Sequence, residues 1–192
     1  MTTAQLHPQA AAFAGEVVAA VDAVVPVVEA FALGSAATGA FDPATSDLDL
    51  TLVVERPLGE RRAELVHRLR ELEQRFRNLE LVAYVTGSEP PEYELNVSHG
   101  QEQTAEESFW FVLDAALAQE HARPVLGRHE WSELFAPVAT ERVEAAMRES
   151  LAWAERQPPG NTFARLHAIR ARRYLEDGVW MSKAEAREEA AR

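Results

Sequence analysis

The pattern of apolar residues changes near residue 100, and this change most constrains the fold. Before it, segments with helical spacing alternate with short apolar or alternating runs typical of strands. The predicted helices there are residues 9–25 and 58–77, and the predicted strands are residues 27–33, 47–54, 78–85 and 92–97.

After residue 100 the periodic segments are helical. They cover residues 104–121, 139–156 and 162–176, with a terminal piece from Ser182 onward. We therefore predict an α+β fold in two domains. Residues 1–100 form a mixed sheet with helices, and residues 101–192 form an all-helical domain.

Composition narrows the class of protein. The chain has 192 residues and no cysteine, which excludes disulfides and zinc-thiolate sites and predicts a reducing, cytoplasmic location. No apolar run approaches the ~20 residues that cross a membrane. The formal net charge of −12 repels nucleic acid, helps to keep a protein soluble and suits a cationic partner.

The stretch between the first two predicted strands carries groups suited to phosphate and metal chemistry. Gly34 and Ser35 end one strand, and Asp47 and Asp49 open the next. Residues two apart on a strand point to the same side, so both carboxylates are expected to face one point. Carboxylate oxygens are ligands that Mg²⁺ prefers. A glycine lets the backbone approach a phosphate closely, and a serine hydroxyl can donate a hydrogen bond to a phosphate oxygen.

A third acid, Glu80, lies on the next predicted strand. If the two strands are neighbours, Glu80 could ligate metal or act as a base toward an acceptor hydroxyl. Two metal ions about 3.5–4 Å apart would then stabilise an in-line displacement. A lone Asp-x-Asp is also common on a solvated strand face, but an EF-hand is excluded because Leu52 and Leu58 stand where Gly and Glu are required.

The ordered set LGSAATGAFDPATSDLDLTLVV, followed by NLELVAYV, resembles the DNA polymerase β-like nucleotidyltransferases and, among them, the streptomycin and spectinomycin adenylyltransferases. The resemblance implies ATP as co-substrate and Mg²⁺, with two ions, as cofactor. It implies metal ligands among Asp47, Asp49 and Glu80, with Glu80 as the catalytic base. It also places Gly34, Ser35 and Ser46 at the nucleotide, the last as part of Ser-Asp-x-Asp.

The resemblance continues into the helical half. The segment LDAALAQEHARPVLGRHEWSELFAPV is similar to the family's helix and the Leu-Phe-x-Pro-Val turn that follows it. Arg170 and Lys183 match the family's arginine and lysine that contact the nucleotide. In the family, an acidic, tryptophan-containing loop helps to recognise streptomycin. This loop is shortened here to residues 157–161, so the resemblance does not extend to streptomycin recognition.

Three functions follow from these features. The first is adenylyl transfer to a small, aminoglycoside-like acceptor, an antibiotic-resistance activity. The second keeps the chemistry but uses a protein or RNA acceptor, as in antitoxin-type members of the superfamily. The third is a nucleotide-binding protein without activity. The sequence leaves the acceptor and the oligomeric state open.

Overall fold

The computed structural model describes residues 6–76, 78–104 and 107–191. Contacts group them into two compact units. The first holds the described residues up to 104 together with Leu117–Pro137, and the second holds Glu107–Ala116 and the described residues from 138 onward. The predicted division into domains after residue 100 stays a prediction.

The first unit is built on a six-stranded mixed sheet in the order β5-β4-β3-β2-β1-β6. Strands β2 and β3 are parallel, and the other neighbouring pairs are antiparallel. The strands are β1 (Val27–Ala32), β2 (Leu48–Val54), β3 (Leu79–Val85), β4 (Leu95–Ser98), β5 (Gln101–Glu102) and β6 (Arg123–Leu126).

Five helices contribute to this unit, and α4 is shared with the second unit. They are α1 (Pro8–Asp22), α2 (Gly34–Thr38), α3 (Arg62–Glu73), α4 (Phe109–His121) and α5 (Trp131–Leu134), with a 3₁₀ turn at Gly59–Arg61.

One face of the sheet forms a core with α1 and α3. Alternate residues of β2 and β3 enter this core, because strand side chains alternate between the two faces. Burying each large aliphatic side chain contributes about 1.5–3 kcal/mol. The buried members include Leu48, Leu50, Leu52, Leu79 and Leu81 from the strands and Phe13, Val17, Leu65 and Leu69 from the helices.

The segment that contains α5 packs on the opposite face of the sheet at one end. Phe31 and Trp131 meet edge to face at 5.5 Å, and Tyr84 and Phe135 do so at 5.4 Å between ring centroids. Helix α5 begins with a reciprocal capping box between Glu130 and its third residue. The other end of this face, where β2 and β3 begin, carries the candidate acids described below.

The second unit contains α6 (Thr140–Glu155), α7 (Thr162–Asp177), α8 (Lys183–Ala190) and the first part of α4. Helix α7 begins at Asn161, whose side chain accepts a hydrogen bond from the Ala164 amide, and ends at Gly178 in the left-handed conformation. The buried core of the second unit contains Phe109, Val112, Leu113, Val143, Ala146, Met147 and Ala171.

The predicted fold class is confirmed: a mixed sheet with helices precedes a helical region. Two short strands, β5 and β6, fall after residue 100, where the sequence predicted helices alone. The predicted helices at 58–77 and 104–121 are shorter in the structure, and their residues Arg77, Ala105 and Glu106 lie outside the described ranges. Across those ranges, no helix is both long enough and apolar enough to cross a membrane.

One buried histidine makes the second unit sensitive to acid. His167 is 7 % exposed and packs 4.6 Å from the Trp110 ring. Burial, together with the charges of Arg170 and Lys183, lowers the pKa of His167 to about 4. The unfolded chain binds this proton near pH 6.5. The contribution of the neutral ring to stability is therefore complete above pH 6.5 and is lost as the pH falls towards 4.

We expect the free energy of unfolding of the second unit to drop by roughly 2 kcal/mol between pH 7 and pH 5 through this group. His167→Phe should remove that part of the pH dependence. Urea unfolding followed by tryptophan fluorescence at both pH values measures it, with the exposed His67→Phe as control. If the free energy of unfolding of His167→Phe still falls between pH 7 and pH 5 by as much as that of the wild type, another group is responsible.

Candidate active site

Gly34 lies directly against the Asp49 carboxylate. Strand β1 ends at Ala32, and the Leu33 amide then donates to the Asp49 carbonyl at 2.9 Å, which holds the turn against β2. Gly34 has a φ of 54°, in the left-handed region that favours glycine. A β-carbon at this position would overlap the Asp49 carboxylate. The missing side chain therefore lets the backbone approach the acid.

The Gly34–Ser35 pair opens a short helix, whereas the sequence analysis placed it at a strand end followed by a turn. The helix forms because Ala36 and Ala37 are buried and the Thr38 hydroxyl donates to the Gly34 carbonyl at 3.2 Å. Gly39, in the left-handed conformation, ends it.

Asp49 points away from the helix-covered core. Its neighbours Leu48 and Leu50 are buried in that core, so alternation places Asp49 on the opposite face. Asp47 lies one residue before β2 begins. Both side chains are partly exposed. The prediction that the two carboxylates meet in one metal site stays a prediction.

Asp47 is held by an amide that the sequence analysis did not identify. The Asn78 side-chain nitrogen donates to Asp47 Oδ1 at 2.9 Å, and the Asn78 carbonyl accepts from the Leu48 amide at 3.0 Å. Asn78 immediately precedes β3, just as Asp47 precedes β2. The only signal in the sequence was an amide residue at the start of a predicted strand, residues 78–85.

Glu80 is the direct partner of Asp49 in the parallel pairing of β2 and β3. Paired residues on neighbouring strands project from the same face, and the strands lie about 4.8 Å apart. Glu80 is exposed, so a substrate can reach its carboxylate. The structure thus places Glu80 in register beside Asp49, and its roles as metal ligand and as base stay predictions.

Ser46 has a structural contact. Its hydroxyl accepts a hydrogen bond from the Asp42 amide at 3.0 Å, and its own amide donates to the Asp42 carbonyl at 2.8 Å. The Asp42 carboxylate in turn accepts from the Thr45 hydroxyl at 2.7 Å. These bonds close the loop that leads into Asp47. A direct role of Ser46 at the nucleotide stays a prediction.

The acids suit a hard cation by their chemistry. No group of three or more His, Asp or Glu side chains within the described ranges is gathered closely enough to hold a metal ion. Mg²⁺, however, is usually bound by one or two carboxylates and completed by water and substrate phosphates. Asp47 and Asp49 supply that number. The Gly34 backbone lies against the Asp49 carboxylate, which occupies the space that a side chain at position 34 would need.

Arg170 and Lys183 belong to the second unit. The Arg170 Nε donates to the Met181 carbonyl at 2.7 Å, which ties α7 to the segment before α8. Burial lowers the pKa of Arg170, and the charge of Asp114 opposes this shift. Lys183 is exposed and is the first residue of α8. Their predicted contacts with a nucleotide stay predictions.

Gly34→Ala should impair the site through Asp49. The new methyl group would displace the carboxylate, and we expect a fall in kcat of about 10–100-fold, the usual cost of disturbing the groups that orient a metal ligand. Steady-state kinetics measure it. Gly39→Ala is the matched control, because Gly39 has a φ of 80° and nothing within 4 Å of the added atom. Equal losses in both variants would mean that backbone strain alone matters.

Comparison with known proteins agrees with this geometry. Residues 15–108 match the family described as nucleotidyltransferase domain. This range contains Gly34, Asp47, Asp49, Asn78 and Glu80. No curated protein sequence gives a significant match to the chain.

Among solved structures, the fold is similar to that of a spectinomycin adenyltransferase, AAD(9), from Enterococcus faecialis, determined with ATP and spectinomycin. The TM-score is 0.74 at 18 % sequence identity, over 92 % of this chain and 82 % of that one. Together the two findings confirm the predicted resemblance to the DNA polymerase β-like nucleotidyltransferases and, in fold, to an antibiotic adenylyltransferase.

Proposed function

We propose, from the nucleotidyltransferase domain that residues 15–108 carry, that this protein transfers AMP from ATP to a hydroxyl of a small, aminoglycoside-like acceptor. The observation that carries the proposal is the pairing of Asp49 with Glu80 on parallel strands, with the Gly34 backbone against the same carboxylate. In this arrangement Asp49 would bind a cation, Glu80 would act as an exposed base, and the Gly34 backbone would lie close to a phosphate. All three lie at one end of one face of the sheet.

Asp47 and Asp49 would hold Mg²⁺, with two ions in the family arrangement. When bound, Mg²⁺ neutralises charge on the triphosphate and on the leaving pyrophosphate. Gly34 and Ser35 would lie against the phosphates, where a glycine permits close backbone approach and the Ser35 hydroxyl can donate to a phosphate oxygen. Asp49 would link the metal site to the phosphate site, because its carboxylate lies against Gly34.

Glu80 would act as the general base. Its carboxylate accepts the proton of the acceptor hydroxyl, and the freed oxygen attacks the α-phosphorus of ATP. A phosphorus–oxygen bond to the acceptor forms as the bond to the β-phosphate bridging oxygen breaks, and pyrophosphate leaves. The exposure of Glu80 and its position beside Asp49 support this role.

Arg170 and Lys183 would neutralise further charge on the triphosphate, as the family resemblance implies. The partial burial of Arg170 and its bond to the Met181 carbonyl support a fixed position for this guanidinium within its own unit. Lys183, exposed at the start of α8, is available to an anion.

The acceptor is assigned as small and cationic. The net charge of −12 favours a cationic molecule and disfavours RNA. The similar fold of a protein determined with ATP and spectinomycin supports an antibiotic of that kind. The absence of cysteine is consistent with a cytoplasmic protein.

Pyrophosphate release tests the proposal. The purified protein is incubated with Mg²⁺ and each of four nucleoside triphosphates, across a panel of aminoglycosides that includes spectinomycin. We expect release with ATP and one acceptor class, and none in Asp47→Ala. Measurable MgATP binding without release for any small acceptor would instead favour a protein acceptor or a nucleotide-binding protein without activity.

A further inference from the structure

Asn78 occupies a position that no part of the proposed reaction uses. It immediately precedes β3, and its side chain reaches across to the residue that precedes β2, donating to Asp47 Oδ1 at 2.9 Å. Across the described ranges, Asn78 is the one side chain that donates a hydrogen bond to Asp47. The bond engages Oδ1, one of the two oxygens of the Asp47 carboxylate.

The position of this amide is fixed by the sheet. The Asn78 carbonyl accepts from the Leu48 amide at 3.0 Å, and the next residues of the two strands, Leu48 and Leu79, are register partners with fully buried side chains. The backbone of Asn78 therefore takes part in the parallel pairing of β2 and β3. Asp47 itself lies one residue before the first residue of β2.

The chemistry of the donor matters as much as its position. A carboxylate that ligates a metal is usually oriented by a second hydrogen-bonding group. An amide donor orients Asp47 without adding charge, so the carboxylate keeps its full attraction for a cation. A lysine or arginine at the same place would compete with the metal for that charge.

We propose that Asn78 is a positioning residue that fixes the orientation of Asp47 for divalent-cation binding. This inference rests on the proposed function, because it assumes that Asp47 is a metal ligand. Asn78 would then belong to the site as an uncharged residue that acts only through Asp47.

The test measures cation affinity directly, apart from turnover. Mn²⁺ replaces Mg²⁺, and free Mn²⁺ is followed by electron paramagnetic resonance during titration of the full chain. We expect Asn78→Ala to weaken Mn²⁺ binding by about 10–100-fold. Asn78→Leu, which removes the donor but keeps the branching and the number of side-chain heavy atoms, should do the same if Asn78→Ala fails to fold.

Two comparisons make the result decisive. Asn161→Ala removes a hydrogen bond that caps α7 in the second unit, and we expect it to leave Mn²⁺ affinity unchanged. Asp47→Asn should weaken binding at least as much as Asn78→Ala. Normal affinity in both Asn78 variants, with a loss in Asp47→Asn, would overturn the inference and leave the proposed function standing. Normal affinity in Asp47→Asn, or no Mn²⁺ binding by the wild type, would overturn both.

Discussion

Asp49→Asn is expected to lower kcat/KM for ATP by about 10³-fold, because a bound cation contributes several kcal/mol to the transition state and about 1.4 kcal/mol corresponds to tenfold in rate. The change keeps the volume of the side chain and removes only its charge. The fold should therefore persist, with Leu48 and Leu50 still buried on either side. Steady-state kinetics with ATP and the accepted antibiotic measure the loss, and circular dichroism checks the fold.

The matched control is Glu55→Gln. Glu55 directly follows the far end of β2, is 58 % exposed and forms an ion pair with its neighbour Arg56 at 2.9 Å. Removing its charge should leave kcat/KM within a factor of about two, since exposed ion pairs contribute little. Activity near the wild-type value in Asp49→Asn would exclude this acid from the reaction, however the control behaves.

Glu80→Gln is expected to reduce kcat by about 10²–10⁴-fold, the usual contribution of a general base. Glutamine keeps the shape of the side chain but accepts no proton at neutral pH. Because Glu80 would act on the acceptor hydroxyl, the KM for ATP should change little. A fall in kcat with constant KM for ATP is therefore the expected signature, measured with the acceptor at saturation.

A cation titration separates the two roles that remain open for Glu80. As a base alone, Glu80 can be replaced by glutamine with no change in Mn²⁺ affinity. As a metal ligand, its replacement weakens Mn²⁺ binding as well. Glu71→Gln on α3 provides the control, since Glu71 is exposed on a helix that packs against the opposite face of the sheet. Full activity in Glu80→Gln would remove Glu80 from both roles.

The alternation of strand and helix in the first hundred residues could be predicted because apolar periodicity is set by burial. Leu48, Leu50 and Leu52 alternate with Asp49 and Thr51, and the structure buries the leucines against α1 and α3. The same alternation predicts the face on which Asp49 lies. The placement of this acid on a sheet face free of α1 and α3 was therefore available from the sequence.

Short elements could not be predicted, because tertiary contacts decide them. Strand β6 contains Pro124 and lies at the edge of the sheet, where a missing amide donor is tolerated. Only its pairing with β1 makes it a strand. Helix α2 spans five residues, fewer than isolated propensity can stabilise, and depends on the burial of Ala36 and Ala37.

The hydrogen bond from Asn78 to Asp47 could not be predicted from the sequence either. It exists because β2 and β3 are parallel and in register, and 31 positions separate the two residues along the chain. Spacing within one segment reveals pairs such as Asp47 and Asp49. Pairs formed between strands require the register, which the sequence alone does not provide.

The most direct measurement follows two labels of ATP in parallel reactions. The protein is incubated with Mg²⁺ and the accepted antibiotic, with ATP labelled at either the α- or the γ-phosphorus, and the antibiotic is isolated. Nucleotidyl transfer predicts label on the antibiotic from the α-position only, with the γ-label recovered in pyrophosphate. Label from the γ-position would show phosphoryl transfer, and label from neither would show no transfer to this acceptor; either result would contradict the account.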